Sequence, residues 1–386
     1  MINPRSGHSP AFVSILLASA AASAQVMVDP ARLPASLQDF ERQQTRPSVR
    51  CEVTPVKPAL DYGFRFGAGY VVRVPLNQYP GPGHRLTMLT RITPQGGDRK
   101  AVYLINVVRL PNIPPTKLAL EVAGLYLLGQ GKYNVEWTLL DETKRSCRKE
   151  WRVDASLRPG ERRVKVALPP DTVADYSLRG APRSRRDTDD VQPVRLTVLL
   201  HAAPLSLRRT AMRASDKMML LGTLSTLLER VPTRALRLVV FNLEQQKEIF
   251  RSDAFTPASL DQVTQSLNEL ELGSVDYNVL KNRRGHVDLL ADLMNQELEA
   301  EAPSDEVVFL GPPARYSDKL PQTAVEKLQG AVPRFFYLRL QPFFRNFGGN
   351  FPDSINHAVA RVKGKTLVIH TPGEFSNAID QIEKTK

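Results

Sequence analysis

The apolar positions of this chain change their period near its middle. From residue 59 to 155 they alternate with polar ones over short runs, among them "GYVVRVPLNQY", "HRLTMLTRITP", "KAVYLINVVRL", "GKYNVEWTLLD" and "CRKEWRVDASL". Runs of this length, rich in Val, Tyr, Thr and Leu and bounded by Gly, Pro and Asn, predict the strands of an antiparallel, immunoglobulin-like β-sandwich. Trp137 and Trp151 fall on the last two runs and read as packing residues. Beyond Pro193 continuous apolar runs take over, as in "VRLTVLLH", "ALRLVVFNL", "DEVVFLG", "RFFYLRL" and "KTLVIHT". Such a run is what a strand buried on both faces requires.

Between these strands lie segments with apolar residues at helical spacing: "SDKMMLLGTLSTLLERV", "TPASLDQVTQSLNEL", "HVDLLADLMNQELEAE", "PQTAVEKLQGA", "DSINHAVARVKG" and "GEFSNAIDQIEK". Ser215 is placed to cap the first, and Thr256 followed by Pro257 to open the second. Strands alternating with helices predict right-handed crossovers and a doubly wound, mostly parallel α/β sheet, with "QKEIFRSD" as an antiparallel edge. The expected fold class is therefore two-domain, an N-terminal β-sandwich and a C-terminal Rossmann-like α/β layer. The expected division is a signal peptide at 1–24, an extended lead at 25–58, the sandwich at 59–155, a basic Pro/Arg-rich linker at 156–193 and the α/β domain at 194–386.

Composition adds an address. The chain has 386 residues, 42% of them hydrophobic, enough for two cores. Arg5 precedes the apolar run "AFVSILLASAAA", which ends in Ala22-Ser23-Ala24. This is the pattern of a secretory signal peptide, too short for the ~20 residues that span a bilayer. It predicts an exported protein, periplasmic or secreted. An oxidising compartment favours joining Cys51 to Cys147, with two separate buried thiols as the alternative. The net charge of +12 is concentrated between Lys144 and Arg195, in "KRSCRKEWR", "RPGERRVK" and "RGAPRSRR". Arg183, Arg185 and Arg186 make the linker a candidate surface for acidic glycans or anionic lipid headgroups; an ordinary solvated loop reads the same way. An exported protein seldom meets nucleic acid.

No Gly-rich phosphate loop, His-Glu-x-x-His or Gly-x-Ser-x-Gly occurs, so no catalytic residue and no cofactor is assigned. The element order from Val194 onward, with "GHVDLL" and the closing "TPGEFSNAIDQI", resembles the von Willebrand factor A-type domain and its bacterial VWFA-related offshoots. The resemblance covers residues 194–386. It implies a divalent cation at the top edge of the sheet, held by Asp-x-Ser-x-Ser, a Thr and a late Asp. Here those positions are His201, Ala203 and Leu205, then His286, then Gly311 or Pro312. The oxygen ligands that Mg²⁺ needs are missing, so the implied site is degenerate. His201 and His286, with Asp288, form an alternative transition-metal or hydrolase site, set against histidines that only cap element ends. On the same edge Arg208, Arg209, Arg315 and Tyr316 form a candidate protein-binding surface. The Phe-rich "QPFFRNFGGNFPDS" is a plug over that edge or a second exposed patch.

Overall fold

The computed structural model describes residues 25–28, 48–97, 100–176, 192–206, 208–270, 272, 277–321, 323–325, 333–342 and 353–384. The signal-peptide segment 1–24, Arg183, Arg185 and Arg186 of the linker, and the four Phe of "QPFFRNFGGNFPDS" lie outside the described residues, as does most of "PQTAVEKLQGA".

The alternating half builds two antiparallel sheets. The five-stranded sheet has the order β1 (Val26–Val28), β5 (Val102–Arg109), β4 (Arg85–Pro94), β7 (Gly131–Asp141), β8 (Ser146–Ala155). The four-stranded sheet runs β2 (Glu52–Leu60), β3 (Phe66–Pro75), β6 (Ala119–Leu128), β9 (Val173–Asp175). Their inner faces meet: Tyr70, Val72 and Val74 of β3 pack with Leu86 and Met88 of β4 and Trp137 and Leu139 of β7. The Tyr70 and Trp137 rings lie 5.3 Å apart across the gap. Trp137 is fully buried and Trp151 half-buried, both as packing residues. Strands β1 and β2 come from the stretch read as a lead, and β9 from the stretch read as a linker.

Cys51 and Cys147 are joined, with their Cα atoms 6.3 Å apart. The bridge runs from the residue before β2 to β8, and so ties the two sheets together. It closes a loop of 96 residues, which removes up to about 4.7 kcal/mol of chain entropy from the unfolded state.

The continuous apolar runs form a mixed six-stranded sheet in the order β12 (Lys247–Ser252), β11 (Thr233–Asn242), β10 (Val194–His201), β13 (Glu306–Gly311), β14 (Arg334–Leu340), β15 (Lys365–Ile369). Neighbours pair in parallel except for β12, which runs antiparallel along the edge. Six described helices accompany it: α1 (Ala214–Arg230), α2 (Leu260–Asn268), α3 (Tyr277–Lys281), α4 (Gly285–Leu298), α5 (Ser354–Arg361) and α6 (Pro372–Lys384). Helix α1 is capped by Asp216, whose carboxylate accepts from the Arg213 amide at 2.9 Å, and not by Ser215.

The expected fold class is corrected here. Strand outweighs helix 40% to 24%, and eight of the twelve strand pairings among the described residues are antiparallel. The protein is an antiparallel-rich, three-sheet β structure rather than a sandwich joined to a doubly wound Rossmann-like domain. No described residue between β13 and β14 is helical. The C-terminal half keeps one apolar cluster to itself, with Leu199, Phe241, Leu290, Phe309 and Ile355, but a second cluster is shared with the sandwich. Leu220 and Leu224 of α1 and Phe375 and Ile379 of α6 share one apolar cluster with Val198 and Leu338 of the mixed sheet and with Phe64, Phe66 and Tyr126 of the sandwich. Sequence periodicity reports which face of an element is apolar, not which element covers it, and this shared layer is where that difference falls.

Phe375 is the centre of the junction. Its ring lies 5.7 Å from Phe64 and 6.0 Å from Tyr62. Beside it the Arg230 guanidinium sits 5.0 Å above the Phe64 ring and donates to the Lys165 carbonyl at 2.5 Å. The backbones touch as well: a Cβ at Gly373 would collide with the carbonyl oxygen of Gly160.

Both tryptophans lie in the sandwich, so their fluorescence reports on that part alone. If the core is continuous, Phe375→Ala in α6 destabilises the fluorescence-detected urea transition by about 3 kcal/mol. The far-UV circular dichroism transition moves with it. A tryptophan transition unchanged by the substitution would show the two halves unfolding independently.

Candidate functional site

Strands β10, β11, β13 and β14 run parallel, so their C-terminal ends collect at one edge of the mixed sheet. The sequence places polar residues there, at the ends of otherwise apolar strands.

His201 is the last residue of β10 and is buried. Its Nδ1 donates to the Pro312 carbonyl at 2.9 Å, an oxygen that also accepts from the Tyr337 hydroxyl at 3.0 Å. The imidazole stacks on Phe241 at 5.3 Å. Burial pushes its pKa down, against the opposing effects of the Pro312 carbonyl and Glu244. Gly311 takes φ +148° in the close approach to this histidine, where a Cβ would come within 2.6 Å of the His201 carbonyl oxygen.

His286 lies in the first turn of α4, also buried. Its Nε2 is 3.0 Å from Asp318 Oδ2, and its ring stacks on Tyr316 with centroids 3.9 Å apart and planes 16° from parallel. Asp288 is exposed on the same helix and accepts from Asn282 Nδ2 at 3.3 Å. The three residues proposed from sequence for a metal or hydrolytic site are thus engaged separately, with a carbonyl, a surface carboxylate and an amide. Among the described residues no group of three or more His, Cys, Asp or Glu side chains is placed to hold a metal ion.

The candidate partner-binding residues also divide. Arg315 pairs through Nε with Glu244 at 3.0 Å, and the Tyr316 carbonyl accepts from the Ser354 amide at 2.9 Å. Arg209 turns inward to Asp216 at 3.0 Å and serves the start of α1, while Arg208 is exposed. Sequence reasoning missed Glu244, Asp318 and the buried pair Arg339–Asp353, whose closest atoms are 3.4 Å apart. The last was legible in part. An arginine inside "RFFYLRL" needs a buried partner, and Asp353 precedes a helical period as its N-cap, accepting from the Asn356 amide at 2.7 Å. Burial raises the Asp353 carboxyl, and Arg339 and the Asn356 amide oppose that rise.

The opposite edge carries a second polar group. Glu297 is buried and accepts from Thr197 Oγ1 at 2.8 Å and Arg237 Nη1 at 2.9 Å. Glu306, at the start of β13, pairs with Arg334 through Oε1, while its buried Oε2 has no partner among the described residues. It lines a small cleft with Gln192, Val194, Val231, Pro232 and Arg334. Burial pushes its pKa from 4.5 up to about 7; Arg334 lowers it and Asp305 adds to the rise.

No family model and no curated protein matches the chain. Among solved structures, an ApaA-like protein from Bordetella pertussis aligns at 16% identity over 29% of this chain and 97% of its own, with a TM-score of 0.21. A structural-genomics target, SoR45, aligns at 16% identity over 30% of this chain and 92% of its own, with a TM-score of 0.19. Likeness at these scores carries no statement about fold or function, and it lends no support to the von Willebrand A-type resemblance.

Because the folded state holds the Glu306 proton more tightly than the unfolded chain does, stability falls as pH rises through about 4.5 to 7. Glu306→Gln removes that dependence. Denaturant unfolding measured at pH 5 and pH 8 should show the variant gaining on the wild type by at most about 3 kcal/mol over the interval. Parallel pH profiles would mean that Arg334 keeps the carboxylate ionised throughout.

Proposed function

We propose that this chain is an exported, non-catalytic binding or scaffold protein that engages a protein partner through the loop from Arg315 to Lys319. The observation that carries the reading is the way this loop is held. Arg315, Ser317, Asp318 and Lys319 are exposed, yet the loop is pinned at three points: Arg315 by Glu244, Tyr316 by the His286 ring and the Ser354 amide, and Asp318 by His286. A loop fixed before binding loses little conformational entropy when a partner arrives. Arginine and tyrosine side chains are those that most often anchor such contacts. The acid–base candidates of the same edge serve its internal pairing, which supports recognition over chemistry. The disulfide supports an oxidising compartment. No helix among the described residues is long and apolar enough to cross a membrane.

A photo-reactive residue in place of Ser317 should give a cross-linked adduct of discrete mass in envelope extract, and the same probe in place of Lys57 should not. Arg315→Ala with Tyr316→Ala should weaken recovery of that adduct at least about tenfold. Equal yields from both probe positions, or from wild type and the double variant, would remove this loop from the interface.

A further inference from the structure

The stretch "RPGERRVK", Arg158 to Lys165, was read from sequence as one of several basic runs in a linker. Its structure is more specific than its composition. Residues 159–161 form a single 3-10 turn, and Glu161 folds inward: its side chain accepts from the Arg158 amide at 3.1 Å and the residue is buried. The Val164 amide donates to the Glu161 carbonyl at 2.8 Å, and Val164 and Leu168 enter the core. The Ala167 amide donates to the Phe64 carbonyl at 2.8 Å, and Arg230 holds the Lys165 carbonyl. The loop is therefore anchored on the junction between sandwich and mixed sheet.

What it shows to solvent is charge of one sign. Arg158, Arg162, Arg163 and Lys165 are all exposed. None of the four has an ion-pair partner among the described residues, and the only carboxylate within the run is the buried one. Gly160 is exposed on the side a Cβ would take, while its carbonyl packs on Gly373 of α6. From this arrangement we infer that the loop Arg158–Lys165 is a docking surface for a layer of anionic lipid headgroups. The run offers no aromatic side chain on which a base or a sugar ring would stack, so it reads charge density and not shape. A fixed group of exposed cations matches a headgroup layer, where each cation close to the surface strengthens binding about fivefold. Salt weakens such contact because the cations are exposed and screened.

Co-sedimentation with phosphatidylcholine vesicles, with and without phosphatidylglycerol, tests this on the full chain. The wild type should bind only vesicles containing phosphatidylglycerol and leave them at high salt. Arg162→Gln, Arg163→Gln and Lys165→Gln together should weaken binding about 100-fold. A control with the same loss of charge on exposed sandwich positions, Lys57→Gln, Arg109→Gln and Lys117→Gln, should bind as the wild type does. Equal weakening of both triple variants would reduce the effect to net charge and overturn the inference. Failure of the wild type to bind, or binding to a soluble acidic polysaccharide but not to vesicles, would overturn it as well.

Discussion

The burial of one apolar layer between two differently built halves is the constraint on which this structure depends. Helices α1 and α6 turn apolar side chains toward the mixed sheet and join the sandwich core at Phe64, Phe66 and Tyr62. Removing either half would leave that layer facing water. At about 25 cal/mol per Å² of apolar surface, that exposure costs stability in proportion to the area uncovered. The close approach of Gly373 to Gly160 and the anchoring of residues 158–168 on Phe64 and Arg230 follow from this requirement.

The same constraint explains what could be read from sequence and what could not. Alternation identified β3, β4, β7 and β8 because each has one face in the sandwich and one in water. The run "VRLTVLLH" identified β10 because both of its faces are covered. Strands β1, β2, β6 and β9 were not singled out. Two of them have three residues each, too few for a period, and β2 is interrupted by Pro55 and Pro58. The fold class failed for a different reason. Local pattern says that α6 has an apolar face, but nothing local says that Phe375 meets Tyr62, which lies more than three hundred residues earlier in the chain.

At the sheet edge the sequence left two readings of its histidines, a metal or hydrolytic site and residues that cap element ends. His201 stands at the end of β10 and His286 in the first turn of α4, with Arg315 in the loop after β13. Whether two imidazoles converge on a ligand depends on their rotamers and on residues remote in sequence. Here Pro312, Asp318, Tyr316 and Glu244 engage them or their neighbours. The stacking of His286 on Tyr316 shapes the loop that carries Arg315, and it had no local signature. The disulfide, expected from an oxidising compartment with two free thiols as the alternative, is formed.

The position of Phe375 along the polypeptide also has a temporal meaning. A ribosome delivers the sandwich strands and both cysteines long before it delivers α6, so the cross-link can close while the junction is still bare. Until residue 375 has emerged, Tyr62 and Phe64 present a sticky aromatic face to whatever is nearby. A chain that stops short of that point leaves Tyr62 and Phe64 without the Phe375 ring that covers them.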